Sequence, residues 1–115
     1  MNESDIISLA GKRYRAREEE LTCRRMVARQ EADLALLKGR VLASAYADGS
    51  IDGKNADVRS RQEAEVLASS LLVQEQAARL HLLEDALDLE TVDREYVDDL
   101  VSLTKAWLYS QAERS

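Results

Sequence analysis

The sequence predicts an all-α protein built as a long antiparallel helical hairpin. Three observations carry that prediction. The 115 residues contain no proline, where average usage would place about six. Two of the four glycines, Gly49 and Gly53, fall in one polar stretch, Asp48-Gly49-Ser50-Ile51-Asp52-Gly53-Lys54-Asn55, whose residue types are those of turns. On either side of it lie long segments rich in Ala, Leu, Glu, Gln and Arg, the strong helix formers. The expected organisation is a single helical domain over residues 1–115, with arm one at about 4–47, a turn at 48–55 and arm two at about 55–114.

Arm one has Asn2, Ser4 or Asp5 to accept the orphan amide hydrogens of its first turn. A sevenfold repeat follows: Ile7, Tyr14, Leu21, Ala28, Ala35 and Leu42, joined by Ala32, Gly39 and Tyr46 at offsets of four. This spacing draws a stripe along one side of a helix. Its small residues between Ala28 and Gly39 would let a partner helix approach closely. Gly39 costs roughly 1 kcal/mol against Ala in a helix interior; close packing and a tolerated weak spot account for it equally well.

Arm two opens on Asn55 as N-cap, with Asp57 in the first turn to complement the helix dipole. Residues 58–78 carry a mixed face of Val66, Leu67, Leu71, Leu72 and Val73 among Gln, Ser and Ala. From Leu80 a stronger face follows: Leu80, Leu83 and Leu87, then Leu89, Val92, Tyr96, Leu100, Leu103 and Trp107, spaced by threes and fours. Unbroken arms would measure roughly 65 and 90 Å at about 1.5 Å per residue and would not match end to end. Either arm two continues past its partner and pairs with another subunit, or the chain bends near Leu89–Asp93 and its C-terminal third becomes a third helix capped by Thr91 or Asp93. The continuous arm is the preferred expectation. Two helices bury a seam rather than a three-dimensional core, so self-association is expected, and the face ending in Trp107 needs a partner surface.

Candidate chemistry is sparse. Asp48, Ser50 and Asp52 followed by Gly53 begin like a calcium loop, but Asn55 stands where such a loop has an apolar residue and Arg59 where it has its bidentate Glu. His81, the single histidine, has no companion ligand, and Glu84 and Asp85 sit where they would pair with it on a helix surface. Cys23 is the only cysteine, beside Arg24 and Arg25, and a lone Cys in a helix is ordinarily inert. No catalytic or metal-binding residues are assigned, no cofactor is expected, and the expected activity is binding rather than catalysis.

Charge is distributed unevenly. Residues 1–47 hold nine basic and seven acidic side chains, and residues 48–115 hold seven and fifteen. Within the basic run of arm one, Arg13, Arg17 and Arg24 share a face and are the candidate nucleic-acid contacts, although Glu18, Glu19, Glu20 and Glu31 interleave with them, and pairs such as Arg15 with Glu19 and Glu20 with Arg24 account for much of the run. The acid concentrates in Glu84, Asp85, Asp88, Glu90, Asp93, Glu95, Asp98 and Asp99. Glu84, Asp85, Asp88, Asp98 and Asp99 form a candidate acidic docking block, able to complement the basic part of arm one in another subunit, to dock on a basic partner or to imitate a phosphate backbone. A net charge of −6 argues against general affinity for nucleic acid or anionic membrane. The N-terminal residues show no signal-peptide pattern and no segment approaches the ~20 apolar residues of a membrane span, so a cytoplasmic protein is expected.

Residues 45–59, Ala-Tyr-Ala-Asp-Gly-Ser-Ile-Asp-Gly-Lys-Asn-Ala-Asp-Val-Arg, resemble a turn of small helical proteins of phages and prophages, in which an Asp-Gly-Lys-Asn-Ala core and a charged, Arg-containing segment join two coiled-coil-like arms. Tyr96 to Trp107 is similar to their closing helix in apolar spacing. The resemblance implies a non-enzymatic accessory protein, at times encoded near phage replication or recombination functions, in the host cytoplasm; it brings no assigned residues. The leading expectation is therefore an interaction protein that self-associates and docks on a protein partner through the apolar and acidic face of residues 84–107. The alternative is a nucleic-acid-associated factor of phage replication or recombination that uses Lys12 to Arg29.

Overall fold

The computed structural model describes residues 2–114, leaving residues 1 and 115 outside the described part. The chain is all-α, as expected. Its helices are α1 (Glu3–Ala47), α2 (Ala56–Ser69) and α3 (Leu71–Arg114), with no strand among the described residues. Asn2 caps α1 by accepting the Asp5 amide on Oδ1 at 2.9 Å, while its own amide donates to Asp5 Oδ2 at 3.2 Å, so two orphan donors are satisfied reciprocally. Contacts divide the chain into two compact units, one of residues 1–25 with 84–115 and the other of residues 26–83.

In the 26–83 unit the chain reverses at the expected turn. Asp48 Oδ1 accepts both the amide and the hydroxyl of Ser50, Gly49 takes the left-handed φ of 83° that suits glycine, and the Ile51 amide returns to the Ala45 carbonyl at 3.2 Å. Ile51 is thereby folded under the turn, 4% exposed. The turn is fastened to α2 by Gln62, whose Oε1 accepts from the amides of Asp52 and Gly53 and whose Nε2 donates to Asp52 Oδ1. Asn55 caps α2 as its position predicts, accepting the Val58 amide at 2.9 Å. Tyr46 donates its hydroxyl to Glu63, joining the end of α1 to α2. Val27, Leu34 and Ala45 of α1 and Val73 of α3 are the other buried apolar residues of this unit.

Arm two differs from the expected continuous helix. It breaks at Ser70, whose extended backbone (φ −80°, ψ 113°) ends α2 and begins α3. Ser70 serves both ends: its amide donates to the Leu67 carbonyl at 3.3 Å, and its Oγ accepts the Val73 amide at 3.4 Å. Gln74 Nε2 takes the same Leu67 carbonyl at 3.3 Å. A serine in a Ser-Ser pair can replace backbone partners with its hydroxyl, and so it interrupts a helix without glycine or proline. The alternative bend near Leu89–Asp93 is also corrected, since α3 runs unbroken through Thr91. A third helix exists, but it starts at Leu71.

In the unit of residues 1–25 and 84–115, α1 and α3 lie antiparallel, with Glu20 meeting Arg94 and Arg13 meeting Asp98. The inward positions of α1, namely Leu9, Arg13, Ala16, Glu20 and Cys23, alternate by four and three; those of α3, namely Leu87, Glu90, Arg94, Val97, Val101 and Thr104, do the same. That is the heptad seam of a coiled coil. It is offset from the sevenfold stripe that is most apolar in sequence. Ile7 (64% exposed), Tyr14 (63%) and Leu21 (47%) face outward. In the other unit Ala28, Ala35 and Gly39 of that stripe are exposed as well, and nothing lies within 4 Å of the place a Cβ would take at Gly39. The close approach of a helix to the small residues therefore does not occur within the chain.

Gly53 differs from Gly39 because a Cβ there would sit 2.7 Å from Val58 Cγ1 and 3.0 Å from the Arg59 amide nitrogen. Gly53→Ala must push the start of α2 away from the turn and should cost about 1–3 kcal/mol, typical of overpacking. Urea denaturation followed by circular dichroism measures this; an unchanged midpoint would refute the close approach.

Candidate interaction face of the terminal unit

The seam of the terminal unit carries charge where a coiled coil usually carries leucine. Glu20 is only 8% exposed. Its Oε2 accepts from Arg94 Nε at 2.9 Å and its Oε1 lies 3.1 Å from Arg24 Nη2, the pairing along α1 that the sequence suggests. Arg94 continues to Asp98 Oδ2 at 3.3 Å along α3. Asp98 Oδ1 in turn faces Arg17 Nη2 at 3.4 Å and Arg13 Nε at 3.2 Å, the latter an ion pair whose angle does not make a hydrogen bond. Burial works to raise the Asp98 carboxyl, but the Arg94 hydrogen bond and the charges of Arg17, Arg13 and Arg94 outweigh it and hold it below the usual carboxylate range. Hydrogen bonds from Arg94 to Glu20 and Asp98 strengthen its hold on its own proton.

This network absorbs residues assigned elsewhere from sequence. Arg13, Arg17 and Arg24, the candidate nucleic-acid contacts, are each paired with a carboxylate of the same unit. Asp98, a member of the acidic docking block, is the internal partner of two of them. Glu84 is half-buried, whereas Asp85, Asp88 and Asp99 are exposed; none of the four makes an ion pair among the described residues, and the same holds for Asp93 and Glu95. Sequence reading overlooked the pairing of Glu20 with Arg94. Its signal was available: Arg13 and Glu20 take their places in the alternation of four and three with Leu9, Ala16 and Cys23.

One acidic contact opposes the fold. Glu90 is half-buried on α3 with its Oε2 shut from solvent and without a partner. Burial, then the nearby charges of Glu19 and Asp93, raise its carboxyl above the ordinary range.

Opposite the seam, the expected face of α3 lies open. Leu89 (68% exposed), Val92 (60%), Tyr96 (64%), Leu103 (67%) and Trp107 (45%) are open to solvent, Tyr96 at the rim of a shallow cleft that it shares with Lys12, Arg15 and Glu19 of α1, and Leu100 is half-buried at the edge. Isolated exposed leucines are ordinary, but five large apolar side chains along one helix face form a patch of the kind that marks an interaction site. At the end of the seam, Ile6, Leu9, Ala10 and Tyr14 of α1 and Val101, Thr104 and Leu108 of α3 line an open groove of about 370 Å³. No cluster of three or more potential metal ligands occurs among the described residues, and none of their helices is long and apolar enough to cross a membrane. His81 is exposed and Cys23 is half-buried in the seam.

No family model, curated protein or solved structure matches the chain.

Removing Glu20 takes from Arg94 its shorter and more buried partner and leaves it only Asp98 at 3.3 Å. Glu20→Ala should lower stability by about 2 kcal/mol, a drop of roughly 8–16 °C in thermal midpoint for a domain of this size; an unchanged midpoint would show the network to be incidental. Glu90→Gln should do the opposite at neutral pH. A folded-state pKa raised above the unfolded value means that ionised Glu90 subtracts stability once pH rises above the carboxylate range, and that the cost disappears as pH falls below it. The gain from Glu90→Gln, measured by denaturation at several pH values, should therefore be largest near pH 7 and fade on acidification.

Proposed function

We propose that this protein acts by binding rather than by catalysis, as a helical interaction protein whose outer α3 face in the terminal unit docks on protein and supports self-association. The observation that carries the reading is the row of Leu89, Val92, Tyr96, Leu103 and Trp107, which are 45–68% exposed on one helix face. Burying such side chains contributes roughly 1.5–3 kcal/mol each, and a soluble helix gains nothing by presenting them to water. The likeness of the turn and closing helix to those of phage and prophage helical proteins supports an accessory role of the same kind, in a host cytoplasm.

The pairing of Arg13, Arg17 and Arg24 with Asp98 and Glu20 favours protein over nucleic acid as the partner. A phosphate track needs cations free to exchange their counterions for the backbone; for these three arginines protein carboxylates already fill that role, which leaves Lys12, Arg15, Arg25 and Arg29 as the exposed cations of the run without an ion pair among the described residues.

Trp107 is the only tryptophan and lies on the proposed face, so its emission reports occupancy directly. Concentrating the protein should raise its light-scattering mass above that of one chain and shift the Trp107 emission to the blue. Leu103→Glu should remove both effects while leaving helix content unchanged. A wild-type chain whose mass and emission are independent of concentration, and which retains a labelled oligonucleotide in low salt, would reverse the assignment in favour of nucleic acid.

A further inference from the structure

The open face of α3 is matched by the open face of α1, and we infer that the two meet between copies: the Ile7–Tyr14–Leu21 stripe of one chain packs antiparallel on the Leu103–Tyr96–Leu89 stripe of another. The inference rests on the interaction reading above and names its partner as a second copy of this chain.

Geometry supplies the first reason. Ile7, Tyr14 and Leu21 are spaced by seven along α1, and Leu89, Tyr96 and Leu103 by seven along α3. All six are 47–68% exposed, and all belong to the same compact unit. Two stripes of equal heptad period remain in register along their whole length, as coiled-coil packing requires. Gly11, between Ile7 and Tyr14, has open space above it and lets an opposing side chain come close. Glu18, the one acid on this stretch of the α1 stripe, is held by the Tyr14 hydroxyl at 2.9 Å.

Charge supplies the second reason and chooses between arrangements. The α1 stripe continues into Arg25 and is bordered by Arg15, both exposed and outside every ion pair of the described residues, Arg15 lining a shallow cleft with Asp93 and Tyr96 of its own chain. The α3 stripe is bordered by the equally unpaired Asp88, Asp93 and Asp99. Packing α3 against α3 would oppose acid to acid, and α1 against α1 would oppose base to base, whereas α1 against α3 opposes unlike charges. The antiparallel direction sets Arg15 and Arg25 beside the acidic part of α3 and Ile7 beside Leu103, beyond most of that acid. The parallel direction would leave Arg15 among Asp93 and Asp99 but carry Arg25 past the acid, opposite Trp107, so Arg25 is the residue that chooses the direction.

Single-cysteine variants test this in the full chain, on a Cys23→Ala background with helix content verified. Leu21→Cys is mixed with an affinity-tagged Leu89→Cys chain and oxidised, so that any 21–89 disulfide joins two molecules. That cross-link should form about tenfold or more faster than the one between Leu21→Cys and Ser102→Cys, an exposed position off the stripe, because docking raises the local thiol concentration. It should also outpace the 21–21 and 89–89 products. Reversing Arg15→Glu and Arg25→Glu should abolish the excess, and adding Asp88→Lys and Asp93→Lys to both chains should restore it. Dominance of the 89–89 product, or a 21–89 rate no faster than the Ser102 control, overturns the inference. Neither result touches the wider interaction reading, which stands or falls on the response of mass and Trp107 emission to Leu103→Glu.

Discussion

A helix packed on one other helix has a seam and no further interior, and most features of this molecule follow from that constraint. No described residue is less than 2% exposed. With so little depth, each unit depends on whatever specificity its seam can supply. In the terminal unit it comes from charge: Arg13, Glu20 and Arg94 occupy seam positions, and Asp98, Arg17 and Arg24 close the network around them. A seam of leucines would tolerate a slip by one heptad, whereas a buried carboxylate that slipped would lose its arginine and leave both desolvated. We regard the network as fixing the antiparallel register of α1 on α3. Glu90 illustrates the same constraint in reverse, a carboxylate that the seam half-buries beside other acid.

The terminal unit places its more polar heptad pattern inside and leaves apolar patterns outside. Leu9, Arg13, Ala16, Glu20 and Cys23 face α3, while Ile7 and Leu21 lie outside the seam and Tyr14, largely exposed, stands at the rim of the groove between the helices. A monomer selected only to fold would be expected to reverse this preference. The arrangement has a physical rationale if the outer stripes are covered in use: the charged seam provides register and the apolar surfaces provide association energy. The division of charge, with unpaired base beside the outer face of α1 and unpaired acid beside that of α3, gives such association a direction as well as a strength.

The sequence by itself determined the helical class, the position of the reversal and the cap that starts α2, because these depend on local chemistry: absent proline, the Asp-Gly-Ser and Gly-Lys-Asn segments, and an asparagine within reach of the Val58 amide. It also marked the open α3 face, since threefold and fourfold spacing is enough to align Leu89, Val92, Tyr96 and Leu103. It did not reveal the break at Ser70, where a serine hydroxyl does work ordinarily left to glycine or proline. Nor did it reveal which stripe of α1 lies inside. Periodicity identifies faces but cannot rank them, and the usual rule that the more apolar face is the buried one selected Ile7, Tyr14 and Leu21. Only the tertiary structure decided that choice, because the pairing of Glu20 with Arg94 and of Arg13 with Asp98 joins residues more than seventy positions apart, and a charge counts as a core residue only when its partner is already in place.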